Sequence, residues 1–133
     1  MGLLVIILGD LDISNLLKAS DRFNEVMQIE KNDIVRDAAI QRFEFTYELV
    51  WKTLRKILLK RGVEANSPKT VFRLAAKDTI IDQVDIWFDF VNYRNQTVHV
   101  YNPIIAEEIY QNLPTFQKLT NDLIYKLKSN EFK

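Results

Sequence analysis

The chain has no cysteine, one histidine, three glycines and three prolines in 133 residues. Without cysteine there is no disulfide framework, no thiolate nucleophile and no thiolate zinc site, and the absence agrees with a reducing compartment. A single histidine removes histidine-rich metal sites as well. None of the glycines forms a phosphate-cradling loop, so nucleotide binding of the Walker or Rossmann kind has no support. An excess of one charge is also lacking, because 18 basic side chains balance 18 acidic ones. No global positive field holds nucleic acid, so RNA or a nucleotide must meet a local site or a site shared with a partner.

Long hydrophobic runs are nearly missing too. The stretch from Leu3 to Leu8 is apolar, but it is far shorter than a membrane span and no basic residue precedes it as in a signal peptide. Residues 1–10 read either as a short apolar N-terminal arm that packs on the rest or as the product of a start codon assigned too far upstream. The expected location is the cytoplasm, with no membrane partner. The length suits one domain with a single core, expected over residues 11–130.

What is present is helical periodicity. Asp12 and Ser14 are N-cap candidates for a first amphipathic helix over about residues 13–30, with Leu16, Leu17, Phe23, Val26 and Met27 at helical spacing. Asp33 opens a run without glycine or proline as far as Gly62. It carries Phe43, Tyr47, Val50, Trp51, Leu54 and Leu58 at steps of three and four, flanked by Ala38, Phe45 and Leu49. So wide an apolar surface predicts a long central helix touched on more than one side, with Trp51 in the core. Ser67-Pro68 starts a short helix, and Asp82 or a neighbour caps a fourth one containing Trp87, Phe88, Val91 and Arg94. Asn102-Pro103 starts the last, which Pro114 is expected to bend. No β-alternation or internal repeat stands out. The fold class is therefore all-α, an antiparallel up-and-down bundle of four long helices plus one short helix.

The chemistry concentrates in Tyr93-Arg94-Asn95-Gln96-Thr97-Val98-His99-Val100-Tyr101. An imidazole moves protons near neutral pH, a guanidinium holds phosphate in bidentate fashion, and a phenol can be modified. In one straight helix, five residues at about 100° each would turn Arg94 and His99 about 140° apart. A joint site therefore needs the helix to end between them or a second copy of the chain. The β-branched Thr97, Val98 and Val100, followed by Asn102-Pro103, predict termination near residues 96–99. Arg94 also falls on the side of Trp87, Phe90, Val91 and Val98, where a charge must be paired or lie at an interface. The bland rivals are an Arg94 ion pair with Asp89 or Glu108, a helix-capping His99 and a rim aromatic at Tyr101. The series Asp82, Asp85, Asp89 reads as a solvated face rather than a metal site.

Arg94-Asn95-x-Thr97-x-His99-x-Tyr101 resembles the signature of the HEPN superfamily, in the branch of nucleotidyltransferase substrate-binding subunits and HepT-type toxins. The run from Arg42 to Lys52 resembles that family's central helix, Ser67-Pro68-Lys69 its short helix start, and Ala106 through Pro114 its last helix. The likeness covers about residues 11–128. It departs at Asn102-Pro103, where acidic residues are expected after the tyrosine. The resemblance implies a homodimer with Arg and His at a cleft between two chains, in many members a metal-independent endoribonuclease site needing no cofactor. It also implies a partner nucleotidyltransferase of the MNT type that neutralises the toxin by transferring AMP to the motif tyrosine. By this likeness Arg94 and His99 are the catalytic pair, Asn95 a supporting polar group and Tyr101 the modified residue, with RNA as substrate and no metal. The alternative is a non-catalytic substrate-binding or regulatory subunit of a nucleotidyltransferase.

Overall fold

At three of the helix starts a side chain satisfies a free backbone N–H group. In the computed structural model, which describes residues 7–8 and 11–129, five helices form: α1 (Ser14–Met27), α2 (Asp33–Lys60), α3 (Pro68–Lys77), α4 (Val84–Gln96) and α5 (Pro103–Ser129). Asp12 Oδ1 accepts from Ser14 N at 2.8 Å just ahead of α1. Asn32 caps α2 by accepting from Val35 N at 2.8 Å, so the helix opens at Asp33 as expected. Asp33 supplies first-turn negative charge to the positive end of the helix. Asn102 Oδ1 accepts from Ile104 N at 2.9 Å beside Pro103, so the predicted pair does open α5. That helix continues as one element through Pro114 to Ser129.

Gly62 ends the α2 segment with φ +81, a left-handed conformation that strains any side-chain-bearing residue. The link from α3 to α4 holds two such residues without being glycine, Thr79 (φ 60) and Gln83 (φ 53). Gln83, a neighbour of Asp82 within the expectation, occupies the position before α4, without a side-chain cap bond. The link is held by Lys126 Nζ, which donates to the carbonyls of Thr79 and Ile80 at 3.2 and 3.1 Å.

Of the apolar arm, only Ile7–Leu8 is described; it forms β1, antiparallel to β2 (Leu11–Asp12), with Ile7 opposite Asp12 and Leu8 opposite Leu11. This two-residue ladder is an addition to the all-α expectation, and the rest of the arm lies outside the described residues. The fold is the expected helical bundle. Its directions follow from cross-contacts. Arg42 Nη1 reaches Arg22 O (2.8 Å) and Thr46 Oγ1 reaches Ala19 O (3.3 Å), so α1 and α2 are antiparallel. Ser20 bonds Asn121 while Asn24 bonds Gln117, which makes α1 and α5 antiparallel as well.

The core is an aromatic junction of these helices. Phe116 of α5 meets Phe23 of α1, Phe43 of α2, and Trp87 and Phe90 of α4, with ring centroids 4.8–6.1 Å apart and steeply inclined planes. Phe72 of α3 stacks on Trp87 at 5.1 Å and lies 6.1 Å from Tyr47, so the short helix joins the same core. Inclined aromatic pairs add specific attraction to the gain from burying apolar area. As predicted, α2 is touched on several sides, by α1, α3 and α5. Two residues depart from the expected packing: Phe45 is largely exposed, and Trp51 is only half-buried.

Candidate functional site

The α4 helix stops at Gln96 and a 3-10 turn, Thr97–His99, follows, as the β-branched run predicts. The stop is reinforced by the buried Thr97, whose hydroxyl donates to Arg94 O at 2.7 Å and accepts from Arg94 Nη1 at 3.0 Å. Arg94 is thereby folded back against its own helix. Its guanidinium faces α2, where Glu44 Oε2 lies 3.7 Å from Nη1 and Glu48 Oε1 lies 3.9 Å from Nε. Glu48 is fixed in turn by Trp51, whose indole Nε1 donates to Oε2 at 2.7 Å. This bond is why the indole sits at the rim of the core. Its N–H requires a partner that the apolar interior lacks.

The carboxylates that sequence spacing offered to Arg94, Asp89 and Glu108, are not its partners; Glu44 and Glu48 are. Two carboxylates therefore stand against one guanidinium that is only 29% exposed. At 3.7 and 3.9 Å the pairs are electrostatic contacts, longer than hydrogen bonds. Arg94 Nε is buried without a hydrogen-bond partner. Burial, then the nearby Glu48 charge, raises the pKa of Tyr47 well above the ordinary phenol value, with Arg94 opposing. Tyr93 is raised by burial first, then by Glu108 and Asp89.

His99 takes the opposite course. It is exposed on the turn, and Tyr101, 81% exposed, places its hydroxyl 3.4 Å from His99 Nδ1. The two rings lie edge-on, with centroids 6.0 Å apart. Val98 and Ile104, 67% and 77% exposed, flank them with apolar surface. Asn95 is also exposed. Among the described residues no hydrogen bond or ion pair joins Arg94 to His99, so the turn brings His99 and Tyr101 together while Arg94 belongs to the α2 side. No group of three or more histidine, aspartate or glutamate side chains converges as metal ligands among these residues. No described helix is long and apolar enough to cross a membrane.

A helical bundle with Arg94 in the last turn of its fourth helix, and an exposed histidine and tyrosine just beyond, has an arrangement that resembles the HEPN-type signature. The chain belongs to the family described as nucleotidyltransferase substrate binding protein like, whose model matches residues 11–129, in the HepT-type branch of that superfamily. A curated relative from Haemophilus influenzae, named "Probable ribonuclease HepT", is 27% identical over 101 residues, covering 72% of this chain and 69% of its own. A crystal structure from Thermus thermophilus superposes with a TM-score of 0.80 at 36% identity, covering 85% of this chain and 98% of that one. Another solved structure, from Haemophilus influenzae, described as revealing the fold of a substrate binding domain of a nucleotidyltransferase, gives a TM-score of 0.69 at 23% identity over 86% of this chain and 99% of that one. At that identity the likeness concerns the fold.

Proposed function

We propose that this protein is a HEPN-type toxin, a metal-independent endoribonuclease that acts as a homodimer and is silenced when an MNT-type nucleotidyltransferase places AMP on Tyr101. The observation that carries the reading is the exposed His99 with the Tyr101 hydroxyl 3.4 Å from its Nδ1, on the turn that directly follows Arg94. Cleavage requires a base for the RNA 2′-hydroxyl, an acid for the leaving 5′-oxygen and positive charge at the phosphate. One chain has one histidine, whereas a two-fold dimer has two copies each of His99 and Arg94. In the proposed step the 2′-oxygen attacks phosphorus and the bond to the 5′-oxygen breaks. One His99 takes the 2′ proton, the other delivers a proton to the 5′-oxygen, and a cyclic phosphate end remains. Arg94 holds the phosphate oxygens, with Asn95 as a polar support.

In the silencing step the Tyr101 oxygen attacks the α-phosphorus of ATP and pyrophosphate leaves. The new phosphodiester adds bulk and negative charge beside His99, which blocks RNA and offers Arg94 an anion. RNA degradation by the purified dimer at neutral pH with chelator present tests the first step, and full activity in His99→Ala would refute it. Intact mass after coexpression with the nucleotidyltransferase tests the second. Wild type should gain one AMP and Tyr101→Phe none.

A second reading, a non-catalytic subunit that presents a substrate to a nucleotidyltransferase, is favoured by the zero net charge and by the carboxylates already facing Arg94. It predicts no RNA cleavage by the isolated dimer in the same assay.

A further inference from the structure

The arginine of the motif is framed by α2 residues that the motif does not contain. We propose that Glu48, held by Trp51, and Glu44 are positioning residues that aim the Arg94 guanidinium at its anion, so that the functional unit extends from the α4 exit onto α2. The inference rests on the ribonuclease reading for its kinetic arm only.

Arginine has a long flexible stem, and bidentate contact with a phosphate depends on the plane of its guanidinium being fixed beforehand. Thr97 accepts from Nη1 at 3.0 Å and so fixes one corner. Glu44 lies on that corner at 3.7 Å, and Glu48 lies on the Nε edge at 3.9 Å. The two oxygens of Glu48 have separate tasks. Oε2 takes the Trp51 N–H at 2.7 Å, which leaves Oε1 turned to Arg94. The buried Nε has no hydrogen-bond partner, and a buried donor left in that state is costly. A small inward shift of the guanidinium would close the Nε to Glu48 gap to hydrogen-bond length. An arriving anion on the solvent side, where Arg94 remains 29% exposed, would meet a guanidinium already oriented by α2. Removal of the Glu48 charge or of its indole anchor should therefore disturb the aim of Arg94 without touching RNA directly.

The test uses the intact dimer with Glu48→Gln, which keeps shape and removes charge, and Trp51→Phe, which keeps the ring and removes the donor. Glu48→Asp serves as the conservative variant. The readouts are kcat and KM for RNA cleavage, and the Arg94 Nε–H resonance and its solvent exchange by NMR. The expected result is a fall in kcat of roughly 10- to 100-fold, the scale of a misplaced contact, with KM changed much less. The Arg94 Nε–H, protected in the wild type, should exchange freely in both variants, and Glu48→Asp should restore part of both signals. Unchanged kcat in Glu48→Gln and Trp51→Phe would overturn the proposal, as would a fall in kcat with an unchanged Arg94 resonance. If the wild type cleaves no RNA, the ribonuclease reading fails and the resonance decides alone. Lost protection in both variants supports the positioning role, and retained protection refutes it.

Discussion

Phe116→Ala is expected to be the most damaging single truncation in the core. The ring is fully buried and lies 4.8 Å from Phe43, 5.2 Å from Phe90, 5.6 Å from Phe23 and 6.1 Å from Trp87, measured between centroids. Burial alone places the loss at about 3–5 kcal/mol for a phenylalanine cut to alanine. Four aromatic partners, each pair adding about 0.5–1.5 kcal/mol beyond its area, push the expectation to the upper half of that range. The partners sit on three other helices, so no single backbone shift can close the cavity. Against a total stability of about 5–15 kcal/mol the variant stays folded in the cold. Its thermal midpoint should fall by on the order of 10–20 °C. Urea unfolding followed by circular dichroism measures the loss, and Phe116→Leu should recover more than half of it by refilling the space. A loss below about 1 kcal/mol, the size of an average substitution, would refute the assignment of this junction as the centre of the fold.

Three further outcomes follow from local features. Asn32→Ala removes the 2.8 Å cap on Val35 N and should lower urea-measured stability by about 1 kcal/mol. Pro114→Ala returns a backbone donor to the interior of α5 and relieves crowding at the Tyr110 carbonyl, so the thermal midpoint should rise. Glu107 is held below the ordinary carboxylate pKa first by its hydrogen bond from Lys31, with Gln111 and Arg36 assisting and burial opposing. A carboxylate with a depressed folded-state pKa contributes stability above its unfolded value and loses it as pH falls through the folded value. Glu107→Gln should therefore be less stable than wild type near neutral pH and equal to it in strong acid, as urea midpoints across that range will register.

Most helix positions are legible in the sequence because their signals are local. Pro68 and Pro103 open helices, Gly62 ends one, and the apolar steps of α2 mark its several contact sides. The start of α2 at Asp33 is legible, whereas its cap is not, because Asn32 and Asp33 are both good capping types and it is the Asn32 side chain that turns onto Val35 N. The left-handed Thr79 and Gln83 carry no sequence mark, since glycine is the usual sign of that conformation and the link is instead held by Lys126 from another helix. At the site, the termination near His99 is readable from β-branching. The partners of Arg94 are not, because Glu44 and Glu48 approach through tertiary packing between α4 and α2, which the order of residues along the chain does not carry. The signal that could have found them is their spacing of four with Trp51 one turn on, a polar row beside an otherwise apolar helix surface.

Thr97 has a wider consequence. One hydroxyl closes the end of α4 on Arg94 O and also receives Arg94 Nη1, so helix length and arginine direction are a single mechanical variable. Inserting or deleting one residue between positions 94 and 97 would break both bonds together and rotate His99 away in the same stroke. The segment looks like a connector, where length changes are ordinarily absorbed, yet by these bonds it should tolerate them no better than a buried strand tolerates a slip of register.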